Sequence, residues 1–243
     1  MAESEHIVHK YDEDLSRLDN LIAEMGGLAE TQLADAIQAL VRFDAEEARR
    51  IVEEDKKIDE LESEIDEFTV KLVALRQPMA ADLRVIITGL KIASNLERIG
   101  DYAKNLAKRA IVLNQFPPAE TIGGVVRMGA LVRQRFKEVL DAYANKDVPL
   151  AVAVWEGDAE IDQHYNSLFR ELLTYMMEDP RTITVGTHLL FIAKNLERIG
   201  DLATNIAEQV HFQVSGTRLD DDRPKSDDTP MLASPNGDVS DAG

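Results

Sequence analysis

Glu97, Asp101 and Asn105 are spaced four residues apart, and so are Glu197, Asp201 and Asn205. On a helix, residues at that spacing are neighbours, with Cβ atoms ~6 Å apart. Two carboxylates and an amide oxygen in a row are hard oxygen donors. Such a row can hold one or more cations, as glutamates do on the helices of di-iron bundles. Asp55 and Asp59 form a further i,i+4 pair, and Asp158 and Asp162 repeat it. If the helices that carry these pairs lie beside the rows, each half of the chain gathers four carboxylates and an amide in one patch. Glu62 is an occasional extra donor there. An empty cluster of this kind repels itself, and a bound cation relieves the repulsion. The bland reading is a solvated polar face, with Arg98 and Arg198 in ordinary surface pairs to neighbouring carboxylates.

The two rows belong to one repeated text. Residues 95–101 and 195–201 both read NLERIGD. Upstream the offset becomes 103: Met25-Gly26-Gly27-Leu28 answers Met128-Gly129-Ala130-Leu131, and Asp55 and Asp59 answer Asp158 and Asp162. The change of offset implies a three-residue deletion near Pro78 and Pro180. Seam positions have drifted between the halves, as in Leu106 against Ile206. The outward Glu and Asp have not, and packing alone does not demand that. Gly100 and Gly200 cost ~1 kcal/mol each in mid-helix and point to close approach of a neighbour.

The elements that position these residues follow from periodicity. Leu18, Leu21, Ile22, Met25, Leu28, Leu33, Ile37, Leu40 and Val41 mark a first helix. Asp44, with Glu47 three residues on, caps a second, which carries Ile51, Ile58, Leu61, Ile65, Phe68, Leu72 and Leu75 in a 3,4 seam broken at Glu54. Gln77-Pro78 ends it. A third follows the seam Ile92, Leu96, Ile99, Ala103, Leu106, with Glu97, Asp101 and Asn105 off it, and Phe116-Pro117-Pro118 stops it. The second half repeats the plan: a helix over about 121–145, Asp147 as cap with Pro149 in the first turn, a break at Asp179-Pro180, then Leu189 to Val210. The expected fold is all-α: six long helices in two tandem homologous three-helix bundles, with left-handed seams. The expected boundaries are a lead-in over 1–13, halves over 14–116 and 117–214, and a disordered acidic tail over 215–243. The tail has seven Asp against Arg218, Arg223 and Lys225, or −4, with too little apolar surface to offset chain entropy.

The whole chain of 243 residues carries −18, which leaves −14 for 1–214. Phosphate backbones repel such a body, so direct nucleic-acid binding is not expected. The chain has no cysteine, which excludes disulfides, thiolate zinc sites and cysteine nucleophiles and fits a reducing compartment. No apolar signal core opens the sequence and no stretch approaches ~18 uncharged apolar residues, so no membrane insertion is expected. His6, His9, His164, His188 and His211 show no ligand spacing. No Gly-rich loop follows a strand and no Ser/His/Asp constellation is visible, so no enzyme activity is expected. Trp155 reads as part of a packing edge.

The doubled NLERIGD, together with MGGL in the first helix, ALRQPMAADLR before the third and LLTYMMEDPRTI before the sixth, resembles the PhoU family of bacterial phosphate-uptake regulators. The resemblance covers about 10–212. It implies two three-helix bundles with pseudo-twofold symmetry, in a cytoplasmic homodimer that associates peripherally with the inner membrane through its partners. It implies a negative regulator of phosphate uptake and of the phosphate-starvation response. Such an adaptor links the ATPase of a phosphate ABC transporter to a sensor histidine kinase. Some members carry multinuclear metal clusters on E/D-x-x-x-D motifs. That carries onto Asp55 and Asp59, Glu97 and Asp101, Asp158 and Asp162, Glu197 and Asp201, with Asn105 and Asn205 following; the ion would be Fe, Zn, Mg or Mn. The acidic tail departs from the family core. A carboxylate-bridged dimetal oxidoreductase, which needs an inward site with His ligands, and a metal-free helical scaffold are the alternative readings.

Overall fold

The computed structural model describes residues 2–118 and 121–219, and side chains from residue 11 onward. The six expected helices are present, and among the described residues there is no strand. The second helix of each half is interrupted once, so the order is α1 (Ala2–Arg42), α2 (Ala45–Glu54), α3 (Lys56–Arg76), α4 (Ala80–Leu113), α5 (Ile122–Asn145), α6 (Val148–Glu156), α7 (Asp158–Glu178), a 3-10 turn (Pro180–Thr182) and α8 (Ile183–Ser215). α1 takes in the residues set apart above as a lead-in. The expected disordered tail lies outside the described residues from 220 onward.

The stops are local. The Asp44 side chain accepts from Glu47 N at 3.0 Å, and Asp147 accepts from Leu150 N at 3.0 Å, with proline in the first turn of α6. Each bond satisfies a donor that the helix itself leaves without a partner. Ahead of Pro78, Gln77 takes a left-handed conformation (φ 48°) and closes α3. Four residues, 76–79, separate Leu75 from Ala80, whereas Asp179 alone separates Glu178 from Pro180. The three-residue change of offset therefore falls at this loop.

α1, α4, α8 and α5 pack as a ring of four, each against the next. α3 lies over α1 and α4, and α7 lies over α8 and α5. The seam Ile92, Leu96, Ile99, Ala103, Leu106 and its counterpart Leu189, Ile192, Leu196, Ile199, Ala203, Ile206, Val210 are buried in one continuous core. Leu75, read from the sequence as a seam residue, is exposed, because it sits in the last turn of α3 just before the chain leaves the bundle.

The halves meet by an exchange of like contacts. A Cβ added at Gly26 would lie 2.8 Å from Leu140, and one added at Gly129 would lie 3.1 Å from Ile37. Position 129 answers 26 and position 140 answers 37, so α1 and α5 pack antiparallel about a pseudo-twofold axis.

Candidate functional site

The carboxylates of the first half come together where α3 crosses α4. Asp55 occupies the single-residue interruption between α2 and α3 and is buried. Its Oδ1 accepts from Gln32 Nε2 of α1 at 2.9 Å, and its Oδ2 meets Lys104 Nζ of α4 at 2.5 Å. The same ammonium lies 2.5 Å from Asp101. Burial opposes the charged form of Lys104, but its hydrogen bonds to Asp101 and Asp55 outweigh this and hold its pKa above that of an ordinary lysine. One turn back, among the described residues, no cation is paired with Glu97. Partial burial, then the charges of Asp101 and Glu62, push the Glu97 carboxyl up to about 7. Asp59 is raised by burial and by Asp55, and Glu62 by burial and by Asp66, Asp59 and Asp101. These shifts register mutual repulsion among crowded carboxylates. Asn105 is half-buried, one turn beyond Asp101.

Gly100 permits this approach. A Cβ there would stand 2.9 Å from Ile58 Cδ1 of α3 and 3.1 Å from Gln32 Oε1. Gly200 serves the second half in the same way, 2.8 Å from Ile161 Cδ1 of α7. The neighbour inferred from the mid-helix glycines is thus the preceding helix of the same half.

The second half is not an outward stripe. Asp158, Asp162 and Glu197 are all buried, while Asp201 and Asn205 are half-buried. Residue chemistry explains the difference. Tyr165 stands where the first half has Glu62, and Lys194 where it has Ser94. Lys194 Nζ lies 4.8 Å from the Tyr165 ring and 2.9 Å from Glu197 Oε1, so the ammonium bridges ring and carboxylate. At the position of Lys104 stands Thr204, whose hydroxyl donates to Asp158 Oδ1 at 3.0 Å.

Sequence reasoning grouped the carboxylates but missed Gln32, Lys104, Tyr165, Lys194 and Thr204 beside them. Lys104 carried a signal, being three residues beyond Asp101 on the same face. The surface pairs expected for Arg98 and Arg198 do not form: among the described residues neither is in an ion pair, and Arg198 stacks over Tyr102 at 5.6 Å. Trp155 is buried and donates to Glu208 at 3.2 Å, a packing edge as expected. His188 lies against Arg109, His211 bonds the turn at Thr217 and His164 is exposed, so none of the three is bonded to the carboxylates. Among the described residues, no three His, Asp or Glu side chains already converge as a metal site. Among the described residues no helix is long and apolar enough to cross a membrane.

The PhoU domain matches the chain twice, over residues 22–110 and 125–210. The chain is 52% identical over 225 residues to the phosphate-specific transport system accessory protein PhoU homolog of Caulobacter vibrioides, covering 92% of this chain and 98% of that one. The protein of the same name from Rhizobium meliloti is 48% identical over 230 residues, 94% of this chain and 97% of that one. The crystal structure of PhoU from Pseudomonas aeruginosa superposes with a TM-score of 0.81 at 42% identity, over 85% of this chain and all of that one. The phosphate transport system regulatory protein PhoU from Streptococcus pneumoniae gives 0.80 at 30% identity, over 86% and 99%. Two matched domains, near-complete coverage and the shared fold agree: this chain belongs to the PhoU family.

Proposed function

We propose that this chain is a non-enzymatic negative regulator of phosphate uptake and of the phosphate-starvation response. It acts as a cytoplasmic homodimeric adaptor between the ATPase of a phosphate ABC transporter and a sensor histidine kinase, at the inner membrane through those partners. The observation that carries the reading is 52% identity across 98% of a protein named for accessory service to the phosphate-specific transport system. A chain of −18 is poorly suited to grip DNA, so any effect on transcription passes through protein partners.

Donor chemistry supports a hard cation on the first-half cluster. The acidic groups there are all oxygen donors, and the raised pKa values of Glu97, Asp59 and Glu62 mark negative charge in excess of what Lys104 neutralises. Asp59, Glu97 and Asp101 would hold the ion, aided by Glu62, Asp55 and Asn105; in the second half Asp158, Asp162, Glu197, Asp201 and Asn205 would do so. A bound ion would supply fixed positive charge that ties α3 to α4, a structural rather than a catalytic service.

Deletion of the gene should switch phosphate-starvation genes on in phosphate-rich medium. Tagged protein from phosphate-replete cells should bring down a transporter ATPase and a histidine kinase. A deletion strain whose starvation genes still respond normally to phosphate would remove this reading.

A further inference from the structure

Cations gather on the face shared by α4 and α8, in a molecule that is acidic as a whole. Arg84, Lys91 and Arg98 follow one another at intervals of seven on α4, hence on one stripe, with Arg109 further along. Arg198 on α8 and Arg218 just beyond it join them. Among the described residues none of these six cations is in an ion pair, although the chain has 45 acidic residues to 27 basic ones. Four of the six lie over aromatic faces. The Arg84 and Arg218 guanidiniums each lie 5.9 Å from the Phe212 ring, Arg198 lies 5.6 Å from Tyr102, and Arg109 lies 4.0 Å from the half-exposed Phe191. Three of the stackings cross the seam between the halves. A cavity of about 310 Å³ opens at one end, lined by Lys91, Glu208, Gln209, Phe212, Arg218 and Leu219. The one carboxylate in that lining, Glu208, is engaged by Trp155.

A guanidinium stacked on a ring keeps its edge donors free for a carboxylate. The stripe from Arg84 to Arg109 is ~38 Å long at 1.5 Å per residue, enough for about ten residues of extended chain. A broad anionic surface, such as a membrane or a nucleic-acid duplex, would also meet the acidic flanks of a body that carries −14. A narrow ligand avoids them. We propose that the α4–α8 face is a docking site for an acidic segment of a partner protein, with carboxylates on Lys91, Arg98 and Arg198 and apolar side chains against Phe191 and Phe212. The inference rests on the adaptor reading for the existence of such a partner, but the surface is tested without it.

The test titrates the full chain into a fluorescein-labelled 12-residue peptide of alternating Glu and Leu, by fluorescence anisotropy, at low and at physiological salt. Binding should weaken with salt and fall at least tenfold in Arg98→Glu with Arg198→Glu. Lys57→Glu with Lys71→Glu makes the same change in net charge on α3 and should stay within twofold of the parent. Circular dichroism confirms that both variants remain helical; if the arginine variant unfolds, Arg98→Gln with Arg198→Gln is read in its place. Absence of peptide binding at low salt, or equal loss in the two variants, overturns the proposal. So does tighter binding of phosphatidylglycerol vesicles or of a 12-nucleotide single-stranded DNA than of the peptide. Intact peptide binding with no co-purified ATPase or kinase would sink the adaptor reading alone.

Discussion

Lys104 and Asp55 meet across the α3–α4 crossing, Nζ to Oδ2 at 2.5 Å, with Asp55 buried in the interruption between α2 and α3. A buried carboxylate that loses its cation keeps the cost of desolvation without the compensating attraction. Lys104→Met should therefore destabilise the protein by ~3 kcal/mol, with Asp55 still accepting from Gln32 Nε2. Chemical denaturation measures it. A change below ~0.5 kcal/mol would show that the pair is as solvated as a surface ion pair.

Glu97 supplies a pH dependence in metal-free protein. Its folded-state pKa, near 7, lies above the ordinary carboxylate value, so between about 4.5 and 7 the folded state binds more protons than the unfolded one. Stability from this group is present at low pH and is lost as pH rises through 7. Asp59 and Glu62 are shifted in the same direction. The parent should lose stability from pH 5 to pH 8 in chelator, whereas Glu97→Gln should show a flatter profile and a higher melting temperature at pH 8. Parallel profiles would place the proton elsewhere.

Metal content tests the carboxylate rows directly. Protein purified without chelator should contain Fe, Zn, Mg or Mn by elemental analysis, and Asp101→Ala with Asp201→Ala should lower the amount while the far-ultraviolet spectrum stays helical. Unchanged metal in the double variant would locate the ion away from the rows, and metal-free parent protein would leave them as ion-pair networks.

Two glycines should respond to alanine in opposite senses. A Cβ at Gly200 meets the branched Ile161 at three points, Cδ1 at 2.8 Å, Cγ2 at 3.2 Å and Cβ at 3.7 Å, and the side chain cannot turn all three away. Gly200→Ala should cost about 1–2 kcal/mol, overpacking outweighing the gain in helix propensity. Gly27 lies in α1 with nothing within 4 Å of a new Cβ. Gly27→Ala should stabilise by about 1 kcal/mol. Denaturation midpoints decide both, and a shift of the same sign in the two would contradict the packing described.

The helices were legible because their seams are long and their stops are chemical: Asp44, Asp147, Pro78 and Pro180 each act within one turn. The interruption at Asp55 was marked only by the seam break at Glu54, since Asp55 itself keeps right-handed helical dihedrals (φ −53°, ψ −33°). Leu75 was misplaced because periodicity does not reveal where a neighbour ends. The carboxylates stood out because the halves share them. Lys104, Lys194 and Tyr165 did not, because each is what the other half lacks, and a search for identity passes over them. Buried Glu197 pairs with Lys194, whose ammonium lies against the Tyr165 ring brought in from α7, a contact between residues 29 apart in sequence.

The exchange of Gly26·Leu140 for Ile37·Gly129 carries an evolutionary consequence. A chain of half this length would present both surfaces of that contact and could pair with a second copy of itself in the same geometry, as an ancestral head-to-tail duplication requires. Fusion of the two copies would replace a concentration-dependent association by a tethered one. It would also release the copies from obligatory identity. An ammonium entering one carboxylate row from Lys104 and the other from Lys194 is an arrangement that a symmetric pair of identical chains cannot encode.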